Sequence, residues 1–315
     1  MEFAVEISGL TKKYGSLVAV NKLDLKVAKG SIHGFLGPNG AGKTTTIKVL
    51  VGLLRADEGV VSVLGNEVRG DRADVRLGVG YMPELPRFPK HLKGSELLDL
   101  YGRMYGMSEQ QRRDDIPMLF EMVGLKGREN DLVGKYSKGM QQRIGIAQAL
   151  LGDPELVILD EPSLGLDPVG MVEVRELVKS ISREGMTVFV SSHLLYEVEQ
   201  ICSHVTIVNR GVMLVSDTLS NVSGMLSGPA LIHAEVARMS DVVVSALRSL
   251  PFVTNVAQTG NELSIQVASH EDVRVAVSEA ITKAGGVIVG MSMKGSNLED
   301  VFMQLVSKEK GGQAS

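Results

Sequence analysis

Residues 37–44 read GPNGAGKT, a match to G-x-x-x-x-G-K-[ST]. Glycines at this spacing let a short loop turn its backbone N–H groups toward bound phosphates. Gly37, Pro38, Asn39, Gly40, Ala41, Gly42 and Thr45 are therefore candidates for a phosphate cradle. Lys43 can reach the outer phosphates, and the Thr44 hydroxyl can ligate Mg²⁺. Taken alone, the string is also a glycine turn with a surface lysine. The flanks, IHGFL before and TTIKVLVGLL after, make a strand–loop–helix setting and favour the phosphate reading. A second stretch, ELVILDEP at 155–162, is an apolar run ending in two carboxylates. At the C-terminal edge of a strand Asp160 can hold Mg²⁺ through its water shell. Glu161 can then orient and deprotonate an attacking water, although a solvated acidic turn has the same composition. A third stretch, YSKGMQQR at 136–143, again sets a capping serine and a glycine before a helix, far from the first loop.

The elements needed to position these residues are legible as punctuation. Short runs rich in β-branched residues, SIHGFLG, LVILDEP, MTVFVSSH and HVTIVNRG, alternate with stretches of helical period. Runs apolar throughout fit strands buried on both faces of a largely parallel sheet. Helices are expected at 43–54, 94–106, 139–152, 169–184 and 194–202, giving a layered α/β domain over residues 1–218. Residues 219–229 read as a linker or a short helix followed by one. Beyond them come a strand (230–236), a helix (239–250), a hairpin turning at Gly260 and Asn261, a helix (270–285) and a strand (287–293). In that hairpin Leu263, Ile265 and Val267 face inward. The order βαββαβ is that of a small α+β ferredoxin-like domain spanning 230–315. A last helix is expected from Ser296, with Glu299 completing a capping box.

Composition narrows the function classes. The chain has 315 residues, 44% hydrophobic and 22% charged, enough for one large or two modest domains. A net charge of −4 with scattered Lys and Arg gives no basic field for nucleic acid. The single cysteine, Cys202, excludes an internal disulfide and reads as a small buried residue. No apolar run reaches the roughly 18 residues of a membrane helix, and the first residues lack the pattern of a signal peptide. A cytosolic chain that meets a membrane only through a partner is the expectation. His33, His91, His204, His233 and His270 lack metal-ligand spacing. Met104, Met107, Met118 and Met122 could form an adaptable surface, but core packing is the expected use.

In order and spacing these motifs resemble the ATP-binding subunit of an ABC transporter, over residues 3 to about 218. Tyr14, in KKYGSLVAV, is placed like the aromatic that stacks on adenine. Glu84, in VGYMPE, takes the Q-loop position, and YSKGM takes the signature position. LGLDP carries Asp167 of the D-loop, and His193, in VFVSSHLL, is placed like the histidine that contacts the terminal phosphate. The resemblance implies a P-loop NTPase cassette: a mainly parallel sheet with helices, an antiparallel β subdomain and a helical subdomain at about 85–150. It also implies ATP and Mg²⁺ as cofactors, with Thr44, Glu84 and Asp160 at the metal. Glu161, His193 and Lys43 would carry hydrolysis. Two subunits, identical or paralogous, would sandwich two ATP molecules. Each ATP would be closed over by the partner's Ser137 and Gly139, at the positive end of a helix.

The sequence departs from the family at three places. Lys138 stands at the first signature glycine, Met140 at the glutamine, and Glu84 at the Q-loop glutamine. Lys138 is expected either to face the partner's phosphates or to point into water. Together with the C-terminal appendage, regulatory or dimerising in such chains, these features resemble the daunorubicin-resistance type of exporter ATPase. The implied partners are separately encoded integral membrane permease subunits, at the cytoplasmic face of the cell membrane. The rival from another class is a soluble ABC-type ATPase acting on ribosomes or nucleic acid; such proteins carry two cassettes or a long coiled coil, and neither is present. A P-loop kinase would leave residues 136–141 without a purpose. Cargo is not legible.

Overall fold

The computed structural model describes residues 2–68, 78–224, 230–268 and 273–294, with Leu298, Phe302 and Leu305 beyond them. The chain divides into two compact units, Met1–Leu219 and Ser220–Ser315. The first is built on two sheets. An antiparallel sheet comprises β1 (Phe3–Tyr14), β2 (Leu17–Ala28), β4 (Glu58–Val63) and β5 (Asn66–Glu67), in the order β2-β1-β4-β5. The other comprises β3 (Ile32–Leu36), β6 (Val79–Met82), β7 (Leu156–Asp160), β8 (Thr187–Ser192), β9 (His204–Asn209) and β10 (Val212–Thr218). Its order is β10-β9-β3-β8-β7-β6, parallel except for the β9–β10 hairpin. Every residue of β3, β7 and β8 is buried, as expected of mainly apolar runs in central parallel strands.

Helix α1 (Lys43–Leu50) lies in a core shared by both sheets: Ile47 and Leu50 pack with Val5, Leu25, Phe35 and Phe189. Eight residues make a marginal helix on their own, so packing holds it; each fully buried Ile or Leu contributes about 1.5–3 kcal/mol. Then come α2 (Gly94–Met104), α3 (Glu109–Met122), a 3-10 turn (Val133–Lys135), α4 (Lys138–Leu150), α5 (Pro168–Arg183), α6 (Leu195–Glu199) and α7 (Leu219–Gly224).

Three expectations need correction. Helix α3 was not legible, because Pro117 interrupts its period; it is started by a capping box in which Ser108 Oγ accepts from Gln111 N at 3.2 Å and Gln111 returns a bond to Ser108 N. The helix after His193 is five residues long, not nine, since Cys202 and Ser203 turn back into β9. Of the four methionines assigned to core packing only Met107 is buried, while Met104, Met118 and Met122 are exposed. Cys202 is buried as expected, and burial pushes its thiol pKa up. His33 is buried against Phe189, with Nε2 2.8 Å from Thr206 Oγ1; burial, reinforced by His204, lowers its pKa to about 3.

The second unit contains β11 (Ala230–Val236), α8 (Asp241–Arg248), β12 (Val253–Thr259), β13 (Glu262–Val267), α9 (Arg274–Lys283) and β14 (Ile288–Lys294). Its sheet is antiparallel, in the order β12-β13-β11-β14, and the β12–β13 hairpin turns at Gly260 (φ +61°) and Asn261. Leu263, Ile265 and Val267 join Val243, Leu247, Val277 and Ile281 in one core. The capping box at Ser296 and Glu299 lies outside the described residues.

Candidate functional site

Parallel strands deliver their C-terminal ends to one edge of the sheet, the usual ligand-binding edge of an open α/β fold. There β3 runs into the loop 37–42, β7 ends at Asp160, β8 leads into His193, and β6 is followed by Glu84. The cleft so formed has a volume of about 690 Å³. Tyr14, Leu17, the loop from Pro38 to Thr45, Glu84, Glu161 and Arg210 are among its walls. Gly42 sits at φ +101°, where a Cβ would stand 2.5 Å from the Ala19 carbonyl oxygen; only glycine allows the loop to pass that close. Tyr14, where β1 turns into β2, is half-exposed at the rim.

Inside the cleft the charged groups hold one another. Lys43 Nζ donates to the Gly37 carbonyl at 2.7 Å and pairs with Glu161 Oε1 at 3.1 Å, with both side chains buried. Glu161 Oε2 meets His193 Nδ1 at 2.8 Å. The Glu161 backbone is left-handed, φ +52°, a conformation that costs a non-glycine residue about 1–2 kcal/mol. Its N–H is secured by Ser191, donating to Oγ at 3.0 Å. The same Ser191 hydroxyl donates to Asp160 Oδ1 at 2.6 Å. Asp160 is fully buried and its Oδ2 has no hydrogen-bond partner among the described residues. Burial raises the Asp160 pKa; the Ser191 and Thr44 hydroxyls oppose the shift, and the charges of Glu84 and Glu161 add to it. A buried carboxylate oxygen without a partner, beside a hydroxyl and a second carboxylate, is a donor set that suits a hard divalent cation.

Ser137, Gly139 and Asp167 are not in this cleft. Ser137 caps α4, its Oγ accepting from Met140 N at 3.2 Å, and the N-terminus of that helix is largely exposed. Asp167 caps α5, its Oδ1 accepting from Gly170 N at 2.8 Å. The structure thus brings together the phosphate loop, Glu84, Asp160, Glu161 and His193, and leaves the signature residues apart as a second surface.

Comparison with known proteins decides the family. A family model described as ABC transporter matches residues 20–164. The bacitracin transport ATP-binding protein of Bacillus licheniformis is 34% identical over 307 residues, 97% of this chain and 98% of that one. The chain belongs to the ATP-binding subunits of ABC transporters. The daunorubicin resistance ATP-binding protein of Streptomyces coeruleorubidus is 32% identical over 308 residues, 98% of this chain and 97% of that one. Among solved structures, an ATP-binding subunit of an ABC transporter superposes with a TM-score of 0.65 at 30% identity, covering 70% of this chain and 92% of that one. This ATP-binding subunit binds nucleotide, and its hydrolysis of ATP powers transport across a membrane.

Sequence reasoning passed over Ser191, which ties Asp160 to the Glu161 backbone in the subunit's catalytic cleft. A serine in a strand otherwise apolar from Val188 to Val190 was the available signal. Leu17, Val18 and Arg210, also on the cleft wall, gave no signal, because their meaning lies in how β2 and the β9–β10 turn meet the loop.

Proposed function

We propose that the subunit pairs with a second ATP-binding subunit, and that each signature helix closes over the nucleotide held by the other. The observation that carries this is the separation of Ser137 and Gly139 from their own phosphate loop: a capped helix N-terminus left open to solvent has an anion-binding end with nothing of its own chain to bind. Tyr14 stacks on adenine, and the amides from Gly37 to Thr45 cradle the phosphates. Lys43 leaves Glu161 for the outer phosphates. That exchange frees the carboxylate to orient the attacking water and accept its proton, with His193 at the terminal phosphate and Asp167 at the closing face. Thr44, Asp160 and Glu84 would hold Mg²⁺, which when bound neutralises charge developing on the phosphates.

The relatives act in bacitracin transport and daunorubicin resistance, and on that ground the cargo here is an antibiotic-type compound moving outward. The permease is separately encoded. Its docking surface is the groove of about 340 Å³ lined by Leu53, Tyr81, Phe88 and Met104, next to Glu84, where exposed apolar side chains await a partner. Among the described residues no helix is long and apolar enough to cross a membrane; on this reading the subunit meets the cytoplasmic face through that permease. The Ser220–Ser315 unit, with its βαββαβ order, is read as a ferredoxin-like domain that regulates or stabilises the pair.

The experiment is purification of the tagged subunit from gently solubilised membranes of its own cell. A multi-span membrane protein in stoichiometric amount is expected. Recovery of ribosomes or nucleic acid in its place would remove the transporter reading and favour a soluble ATPase.

A further inference from the structure

Lys138 occupies the signature position where the family has a glycine, and its solvent-exposed side chain runs back over its own chain. A Cβ on Gly165 would collide with Lys138 Nζ and stand 2.9 Å from its Cε. The lysine therefore lies over the D-loop of its own chain, on the one position there with no side chain. Gly165 is left-handed, φ +69°, and that conformation is what favours glycine there. Alongside it Leu166 Cδ2 lies 3.8 Å from where a Cβ on Gly139 would be. The signature and the D-loop thus lie side by side, with Lys138 over Gly165 and Leu166 beside Gly139.

That turn starts at the catalytic carboxylate. The Glu161 carbonyl accepts from Leu164 N at 3.0 Å, the Ser163 carbonyl accepts from Leu166 N at 3.2 Å, and Asp167 then caps α5. Backbone hydrogen bonds therefore close the turn from Glu161, in its left-handed conformation, through Leu164 and Leu166, the two neighbours of the glycine beneath the Lys138 ammonium. The ammonium forms no hydrogen bond or ion pair among the described residues. It also stands at the positive end of α4, whose first turn has no acidic residue, an unfavourable place for a cation.

We propose that Lys138 is a positioning residue: by covering Gly165 it holds the turn 161–167, and through it the Glu161 carboxylate, in the geometry that hydrolyses the nucleotide on its own phosphate loop. A signature glycine would leave that turn uncovered. The proposal rests on Glu161 being the base. It also links the two nucleotide sites of a pair, because the helix end that meets the partner's nucleotide is clamped to the carboxylate serving its own.

The test compares the full chain with Lys138→Ala and Lys138→Arg. Lys138→Ala is expected to lower kcat for ATP by about three- to tenfold with KM unchanged, and Lys138→Arg to restore it. A raised KM at unchanged kcat would mean that the cation meets nucleotide phosphate, and no change in either would mean that it is idle; both overturn the proposal. Amide exchange in the nucleotide-free chain gives a second readout independent of turnover. The Leu164 and Leu166 amides should exchange about tenfold faster in Lys138→Ala, and unchanged exchange would overturn the clamp. Should the wild-type chain show no ATP turnover, the catalytic reading falls while the exchange measurement still decides the contact.

Discussion

The phosphate-loop cleft and the signature surface are both built to meet phosphate, yet they differ in completeness. In the cleft the buried charges at its floor meet within the chain: Lys43 on Glu161, Glu161 on His193, and one oxygen of Asp160 on Ser191. On the signature surface the polar groups reach only their own helix ends, Ser137 to Met140 N and Asp167 to Gly170 N. A buried cluster of charges must be satisfied internally, since an unpaired buried charge is costly. An exposed helix end can wait for its ligand in water. The first region is assembled within this chain; on the proposed reading the second is completed by the nucleotide of a second ATP-binding subunit.

Changing the cleft should cost the most. Glu161→Gln keeps the side-chain volume and removes the base, so ATP turnover should fall by about 10²–10⁴-fold while nucleotide binding persists. Near-normal turnover would remove Glu161 from its role. Ser137→Ala probes the other side. Losing the cap costs about 1 kcal/mol, and losing a bond to phosphate about 1.5–3 kcal/mol. ATP-driven pairing, followed by sedimentation, should weaken by about 10–100-fold with single-chain nucleotide affinity intact. Equal loss of both would place Ser137 in its own cleft and dissolve the contrast. Tyr14→Ala should do the reverse: about tenfold weaker nucleotide binding by one chain, from the 1–3 kcal/mol of a lost base stack.

The smallest effect is on stability. Burial raises the Asp160 pKa, so the folded chain binds that proton more tightly than the unfolded one. Stability contributed by this group is therefore lost as pH rises from the ordinary carboxylate value through the folded one, and the loss stays constant above it. Asp160→Asn should raise the Tm of the nucleotide-free chain by a few degrees at pH 7 and by less at pH 4, while abolishing any stabilisation by added Mg²⁺ with nucleotide. A lower Tm at pH 7 would show that the carboxylate is satisfied in a way its partnerless Oδ2 denies.

Local patterns carried most of the fold. Mainly apolar runs marked β3, β7 and β8, and strict alternation marked β13, because burial on two faces or one leaves those signatures in any context. Helix α3 escaped because a proline within the second half of a helix looks like an end, and only its packing shows otherwise. The methionines of α2 and α3 misled for a related reason: composition sets a preference for burial, whereas the surface a helix leaves open depends on what packs against its other side. The role of Ser191 and the contact of Lys138 with Gly165 are what spacing could not show. Each acts on a residue about 30 positions away, Ser191 on Asp160 and Lys138 on Gly165, and no spacing rule connects them.

The sequence by itself determined the chemistry available: a glycine loop with a lysine and threonine, paired carboxylates at a strand end, a histidine, and a second helix start with its own cap. Those depend on residue type and on neighbours within a few positions, where backbone stereochemistry rules. Only the tertiary structure decided which of them share a cleft, that Lys43 rests on Glu161, and that Lys138 lies over its own D-loop. Parallel strands adjacent in the sheet are distant in the chain, so their contacts follow from the order in which strands pack and not from their separation in sequence.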